Sequence, residues 1–116
     1  MSGLFIGWGE TYPGREEQAL HVFNEVLANN GKLVEEGRIG GFEPFLLGAH
    51  GGGLRGFFIL RGTPEQILAL RTDDEFLGYV MRGQMVASDF GVEELYFGES
   101  LEHLMGIFEQ RVGALA

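Results

Sequence analysis

Residues 54–62 read LRGFFILRG, with four consecutive apolar side chains, Phe57, Phe58, Ile59 and Leu60, between glycines. A run this short, rich in aromatic and branched residues, predicts a β-strand. Phe57 and Ile59 share one parity, Phe58 and Leu60 the other, so both faces are apolar. A strand with one wet face alternates apolar and polar residues, and this one does not. Both sides of its sheet therefore need cover.

The neighbouring segments extend the pattern in both directions. Upstream, FEPFLLGAH (42–50) reads as a weaker strand, and Pro44 places it at a sheet edge because proline cannot donate to a ladder. Gly51-Gly52-Gly53 supplies the hairpin turn between the two. Downstream, Thr63-Pro64-Glu65-Gln66 is a helix start, with Thr63 as cap, Pro64 at the first helical position and Gln66 closing a capping box. A second box, Thr72-Asp73-Asp74-Glu75, predicts a short helix near 64–70 and a longer one near 73–86.

At the start of the chain LFIGWG (4–9) is a second strand apolar on both faces, its glycines marking places where another group comes close. Ala19, Val22, Phe23, Val26 and Leu27 then fall on one helical stripe over about 15–30, with a stop expected at Asn29-Asn30-Gly31 and a further helical segment over 32–38. Val92 to Phe97 reads as a fourth strand. Ser100 is the expected cap of a last helix with a stripe of Leu101, Leu104, Met105, Phe108 and Val112.

The order β-α-β-β-α-β with an added C-terminal helix is that of an α+β, ferredoxin-like unit. Its four-stranded antiparallel sheet puts the first and third strands in the middle, and these are the two most apolar runs. The chain of 116 residues is read as one domain over 1–116. Two amphipathic helices cover one sheet face, leaving one parity of LFIGWG, FFIL and LYF as an apolar patch of ~400 Å². That patch predicts a homodimer formed sheet to sheet, braced by the last helix.

Composition excludes several function classes. The formal net charge is −9, with eight Lys and Arg against seventeen Asp and Glu, so neither nucleic acid nor an anionic membrane is an expected partner. Cysteine is absent, which removes thiol catalysis and zinc–thiolate sites and is compatible with a cytoplasmic location. The N-terminus reads as strand rather than as a signal peptide, and no apolar run is long enough to span a bilayer. No metal site and no cofactor are expected.

The segment arrangement resembles the dimeric α+β barrel superfamily. The resemblance rests on the two apolar faces of the sheet and on TPEQILALRTDDEFLGYVMRG (63–83), which is similar to the broken second helix of those folds. That superfamily includes cofactor-independent monooxygenases and muconolactone isomerases. The resemblance implies a ligand held between sheet and helices or within a shared barrel. It supplies no catalytic residues position by position.

Candidate site residues come from the sequence itself. His50 ends a strand beside the triple glycine and is the candidate general base, against an ordinary hairpin role. Arg61 has the parity of Phe57 and Ile59 and is the candidate anchor for an anionic group, against a strand-end ion pair. Trp8, Tyr12 and Tyr96 are candidate ligand-binding rings, against ordinary core packing as the favoured role of Trp8. His21 and His103 fall opposite apolar stripes and are expected in water. The HGGG at 50–53 and the DFG at 89–91 lack the partner motifs of lipases and kinases and read as turns.

Three functions fit: a cofactor-independent oxygenase, isomerase or lyase on an apolar or anionic molecule; a non-catalytic small-ligand-binding domain; or a structural dimerisation module. A cavity reached by His50 and Arg61 favours the first. A cavity without titratable groups inside favours the second, and a filled core the third.

Overall fold

The computed structural model describes residues 1–115. In it the FFIL run lies in β3 (Gly56–Gly62), paired antiparallel with both β1 (Ser2–Trp8) and β2 (Gly41–Leu46). β4 (Gly91–Leu95) completes a four-stranded sheet of order β2-β3-β1-β4. The two most apolar strands thus occupy the middle, and Pro44 sits on the edge strand β2. Between the strands come α1 (Glu16–Glu35), α2 (Pro64–Arg71) and α3 (Asp74–Val86); α4 (Glu99–Leu115) follows β4.

One sheet face carries the core. Leu4 and Leu60, and Ile6 and Phe58, are cross-strand partners, and all four are buried with Leu33, Ile67, Leu70 and Phe76 from the helices and Ile39 from the turn before β2. Directly opposed apolar pairs of this kind are the unit of sheet stabilisation. On the other face Phe57 stacks on Phe5 at 5.0 Å and on Phe45 at 4.9 Å, a row of three rings across β1, β3 and β2. Gly7 makes that row possible. A Cβ there would lie 2.6 Å from the Phe5 ring, which leans across it to reach Phe57. The close approach expected at the β1 glycines is thus made by the chain's own atoms, with Gly9 donating to the Ser88 carbonyl at 2.7 Å.

Helix boundaries follow their caps. Thr63 Oγ1 accepts from the Gln66 amide at 3.2 Å while Gln66 Oε1 accepts from the Thr63 amide at 2.8 Å, so the expected capping box forms. The second start shifts by one residue. Asp73 rather than Thr72 caps α3, accepting from the Phe76 amide at 3.1 Å, while the Thr72 hydroxyl donates back to the Leu68 and Ala69 carbonyls. Ser100 likewise does not cap α4: its hydroxyl accepts from the Phe97 amide and donates to the Phe97 carbonyl.

The expected stop at Asn29-Asn30-Gly31 is passed over, and α1 runs on to Glu35. Asn30 and Leu33 are buried on the continuing stripe, so tertiary packing overrides the local breaker. The stop is Gly37, at φ 71°. Arg38 donates to the Leu33 carbonyl at 2.9 Å and Gly37 to that of Val34 at 3.0 Å, the paired bonds of a Schellman motif.

Candidate functional site

α1 and α3 diverge from the sheet at the end where β1 finishes in Trp8 and β3 begins at Gly56. A cavity of about 340 Å³ opens between them, at the lower end of the range for small-molecule sites. Three rings form its floor: Trp8 lies 4.9 Å from Phe58 and 5.9 Å from Phe23, and Phe23 stacks on Phe58 at 5.5 Å. Ala19 and Val22 of α1, Val86 of α3 and Phe90 supply most of the walls. The mouth lies beside Glu16, Leu20 and Leu46, and the two leucines are 61% and 73% exposed. Glu16 is the one ionisable side chain among the lining residues; the remainder are apolar apart from Thr11.

The local structure explains this lining. The parity that sends Leu4 and Ile6 into the core carries Trp8 to the same side one step beyond the packed helices. Gly83 brings α3 against the turn before β4, since a Cβ there would lie 2.4 Å from the Phe90 ring. Asp89 takes φ 52°, a left-handed conformation that aspartate tolerates better than most residues. The 89–91 string is therefore a turn, and its phenylalanine closes one side of the cavity.

Of the five candidate site residues, Trp8 lines this cavity. Tyr12 stands next to it, its amide bonded to the Val86 carbonyl at 2.9 Å and its side chain exposed. His50 belongs to the exposed β2–β3 loop, where Nε2 lies 2.6 Å from the Leu54 carbonyl and Nδ1 accepts from the Gly52 amide at 3.2 Å. Both ring nitrogens are thus engaged by its own hairpin.

Arg61 is at the far end of β3, cross-strand from Gly3 and Gly41. It pairs with Glu43 and lies over the Phe97 ring at 5.9 Å. Tyr96 follows β4 at that same end, and its hydroxyl donates to Glu94 at 2.8 Å. That bond, with the charge of Glu94, raises the phenol above its ordinary range. His50 and Arg61 stand at opposite ends of β3 and do not converge within one chain.

Phe23, Phe58, Val86 and Phe90 were legible as apolar positions but not as one site. The available signal was Gly83, a glycine inside an otherwise good helix, which has a packing reason more often than none. His21 is exposed and pairs with Glu25 at 2.8 Å, and His103 is exposed on α4. Among the described residues no group of three or more His, Asp or Glu is placed to hold a metal ion. No described helix is long and apolar enough to cross a membrane.

Neither a family model nor a curated protein matches this chain. Among solved structures it is similar to a dimeric protein of unknown function and ferredoxin-like fold from Bacteroides fragilis, with a TM-score of 0.59 and 13% identity over 83% of this chain and 96% of that one. The fold is ferredoxin-like. At that identity the similarity carries the architecture and no chemistry. The ferredoxin-like arrangement sets helices on one face of the sheet and leaves the Phe5–Phe57–Phe45 face outside the helical layer.

Proposed function

We propose that this chain is a homodimeric, non-catalytic binding protein for a small apolar organic molecule, held between α1, α3 and the sheet. The observation that carries the reading is the Trp8–Phe23–Phe58 floor, an aromatic cavity whose one ionisable lining residue, Glu16, stands at the mouth, with no histidine or cation among the lining side chains. General acid–base work needs a titratable group within hydrogen-bond reach of the reacting atom. Glu16, at the mouth, suits the polar tip of a neutral or cationic ligand better than an anion. The enzyme reading relies on His50 and Arg61, which lie outside this lining.

The homodimer has separate support. The row of Phe5, Phe57 and Phe45, with Ile59, is left partly exposed in the single chain. An aromatic sheet face of that extent is characteristic of an interface. The similar Bacteroides protein is itself described as dimeric.

Trp8 is the chain's one tryptophan, so its emission reports on the cavity. Titration with the neutral probe N-phenyl-1-naphthylamine should quench Trp8 saturably, and Ala19→Phe should abolish the effect by filling the space. Native mass spectrometry should detect a small molecule retained on purification. A linear response unchanged by Ala19→Phe would overturn the binding reading.

A further inference from the structure

We propose that α4 is an exchanged arm, which leaves its own subunit and buries its apolar stripe against a second copy of this chain. The inference builds on the homodimer reading above and adds to it the element that completes the interface.

α4 is a helix of 17 residues with no buried residue, and it makes no extensive contact with any other element. Leu101, Leu104, Met105, Phe108 and Val112 nevertheless fall on one stripe, each between 38% and 61% exposed. An isolated helix of this length is marginal in water, so a helix with such a stripe gains its stability from packing. The dimensions agree with an arm that leaves the body. The radius of gyration is 16.3 Å, against ~13 Å for a compact chain of this size.

The route of the chain selects the second copy over the subunit's own sheet. Phe97 ends on the open sheet face, where its ring would lie 3.1 Å from a Cβ on Gly3 and sits beneath the Arg61 guanidinium. Gly98 then turns at φ 57°, a left-handed conformation suited to glycine, and α4 begins. The arm thus departs from the side on which a partner packed sheet to sheet would lie. Its charged residues are Glu99, Glu102, Glu109 and Arg111, an acidic set that an anionic membrane would repel.

Area gives the quantitative argument. Two open faces of ~400 Å² each bury ~800 Å² in projection, so even with the added relief of their side chains the sheet faces alone reach only the lower end of the ~1,200–2,000 Å² of a stable interface. Each arm, ~25 Å long and ~10 Å wide, buries ~250 Å² of itself and as much of its partner. Two arms add ~1,000 Å² in projection and carry the total well inside that range.

The test uses the full chain, with p-benzoylphenylalanine in place of Phe108, and compares Leu104→Glu/Phe108→Glu with Phe57→Glu by sedimentation equilibrium. Light should give a covalent product of twice 12.8 kDa. Leu104→Glu/Phe108→Glu should weaken dimerisation at least 100-fold with the far-ultraviolet spectrum retained. A cross-link confined within one chain, or an arm variant that dimerises as tightly as wild type, overturns the arm. If Phe57→Glu alone dissociates the dimer, the sheet-face interface stands without the arm. If the arm variant alone does so, the arm stands and the sheet-face interface falls. A monomeric wild type overturns both.

Discussion

The Phe90 ring rests on Gly83 so closely that a Cβ at Gly83 would come within 2.4 Å of it. This contact joins α3 to the turn before β4 and sets one wall of the cavity. Gly83→Ala returns up to ~1 kcal/mol of helix propensity. Overpacking at a formed contact costs ~1–3 kcal/mol. The second effect is larger, so a net loss of ~1 kcal/mol is expected in chemical denaturation. Because Phe90 must move, probe binding at Trp8 should weaken in the same variant. Unchanged affinity would separate Phe90 from the site.

Thr63 and Gln66 satisfy each other's backbone amides, and Gln66 Nε2 also donates to the Gly37 carbonyl at 2.9 Å. The α2 cap is therefore tied to the turn that ends α1. Thr63→Ala should cost ~1 kcal/mol of stability, and Thr63→Gly only a few tenths. Gln66→Ala removes two bonds rather than one and should cost more than Thr63→Ala. Equal losses would mean that the Gly37 contact contributes nothing.

Glu25 sits between Arg82 and His21, hydrogen-bonded to the first and in contact with the ring of the second. The Arg82 hydrogen bond is the main reason its carboxyl titrates below the ordinary carboxylate range, with partial burial opposing and the charges of Arg82 and His21 assisting. A depressed carboxylate stabilises the fold above its unfolded pKa and loses that contribution as pH falls through the folded value. Arg82→Gln should move the Glu25 midpoint upward in a carbon-detected NMR titration. The variant should also lose less stability than wild type on acidification. A midpoint that does not move would remove the pair from the acid response.

The sequence made the sheet legible because FFIL and LFIGWG carry apolar residues on both parities, which few other arrangements explain. The Thr63 box was legible because all of its bonds fall within four residues. The end of α1 was not. Asn29-Asn30-Gly31 is a strong local breaker, and only the tertiary burial of Asn30 and Leu33 keeps the helix going to Gly37. The strand expected over 42–50 ends at Leu46; one more bond in the same register, from the Leu47 amide to the Arg55 carbonyl at 2.9 Å, closes the ladder, and beyond it the glycine-rich loop is held by His50 on the Leu54 carbonyl. Trp8 was a candidate for its amphipathic ring alone, and it is the parity it shares with Leu4 and Ile6 that sets it on the cavity side. Gly83 and Phe90 were not, because their proximity is created by how α3 packs. Placing His50 and Arg61 together ignored the length of β3, the strand that separates them.

The two faces of β3 should respond differently to truncation, and protein concentration is the variable that tells them apart. Leu60 is fully buried beneath the helices, so Leu60→Ala should cost ~2–5 kcal/mol whatever the concentration. Phe57 lies on the opposite parity, partly exposed in the single chain and stacked between Phe5 and Phe45. Its larger contribution is expected in the dimer. For a dimer that dissociates as it unfolds, each tenfold rise in concentration adds ~1.4 kcal/mol per dimer, so the wild-type Tm should climb with concentration. Leu60→Ala should lower Tm and keep that slope. Phe57→Ala should flatten it, because the variant unfolds from a monomer at concentrations where wild type is paired. Calorimetry from 5 to 500 μM is the measurement. A wild-type Tm independent of concentration would mean that the aromatic row faces water, and the dimer would have to be abandoned.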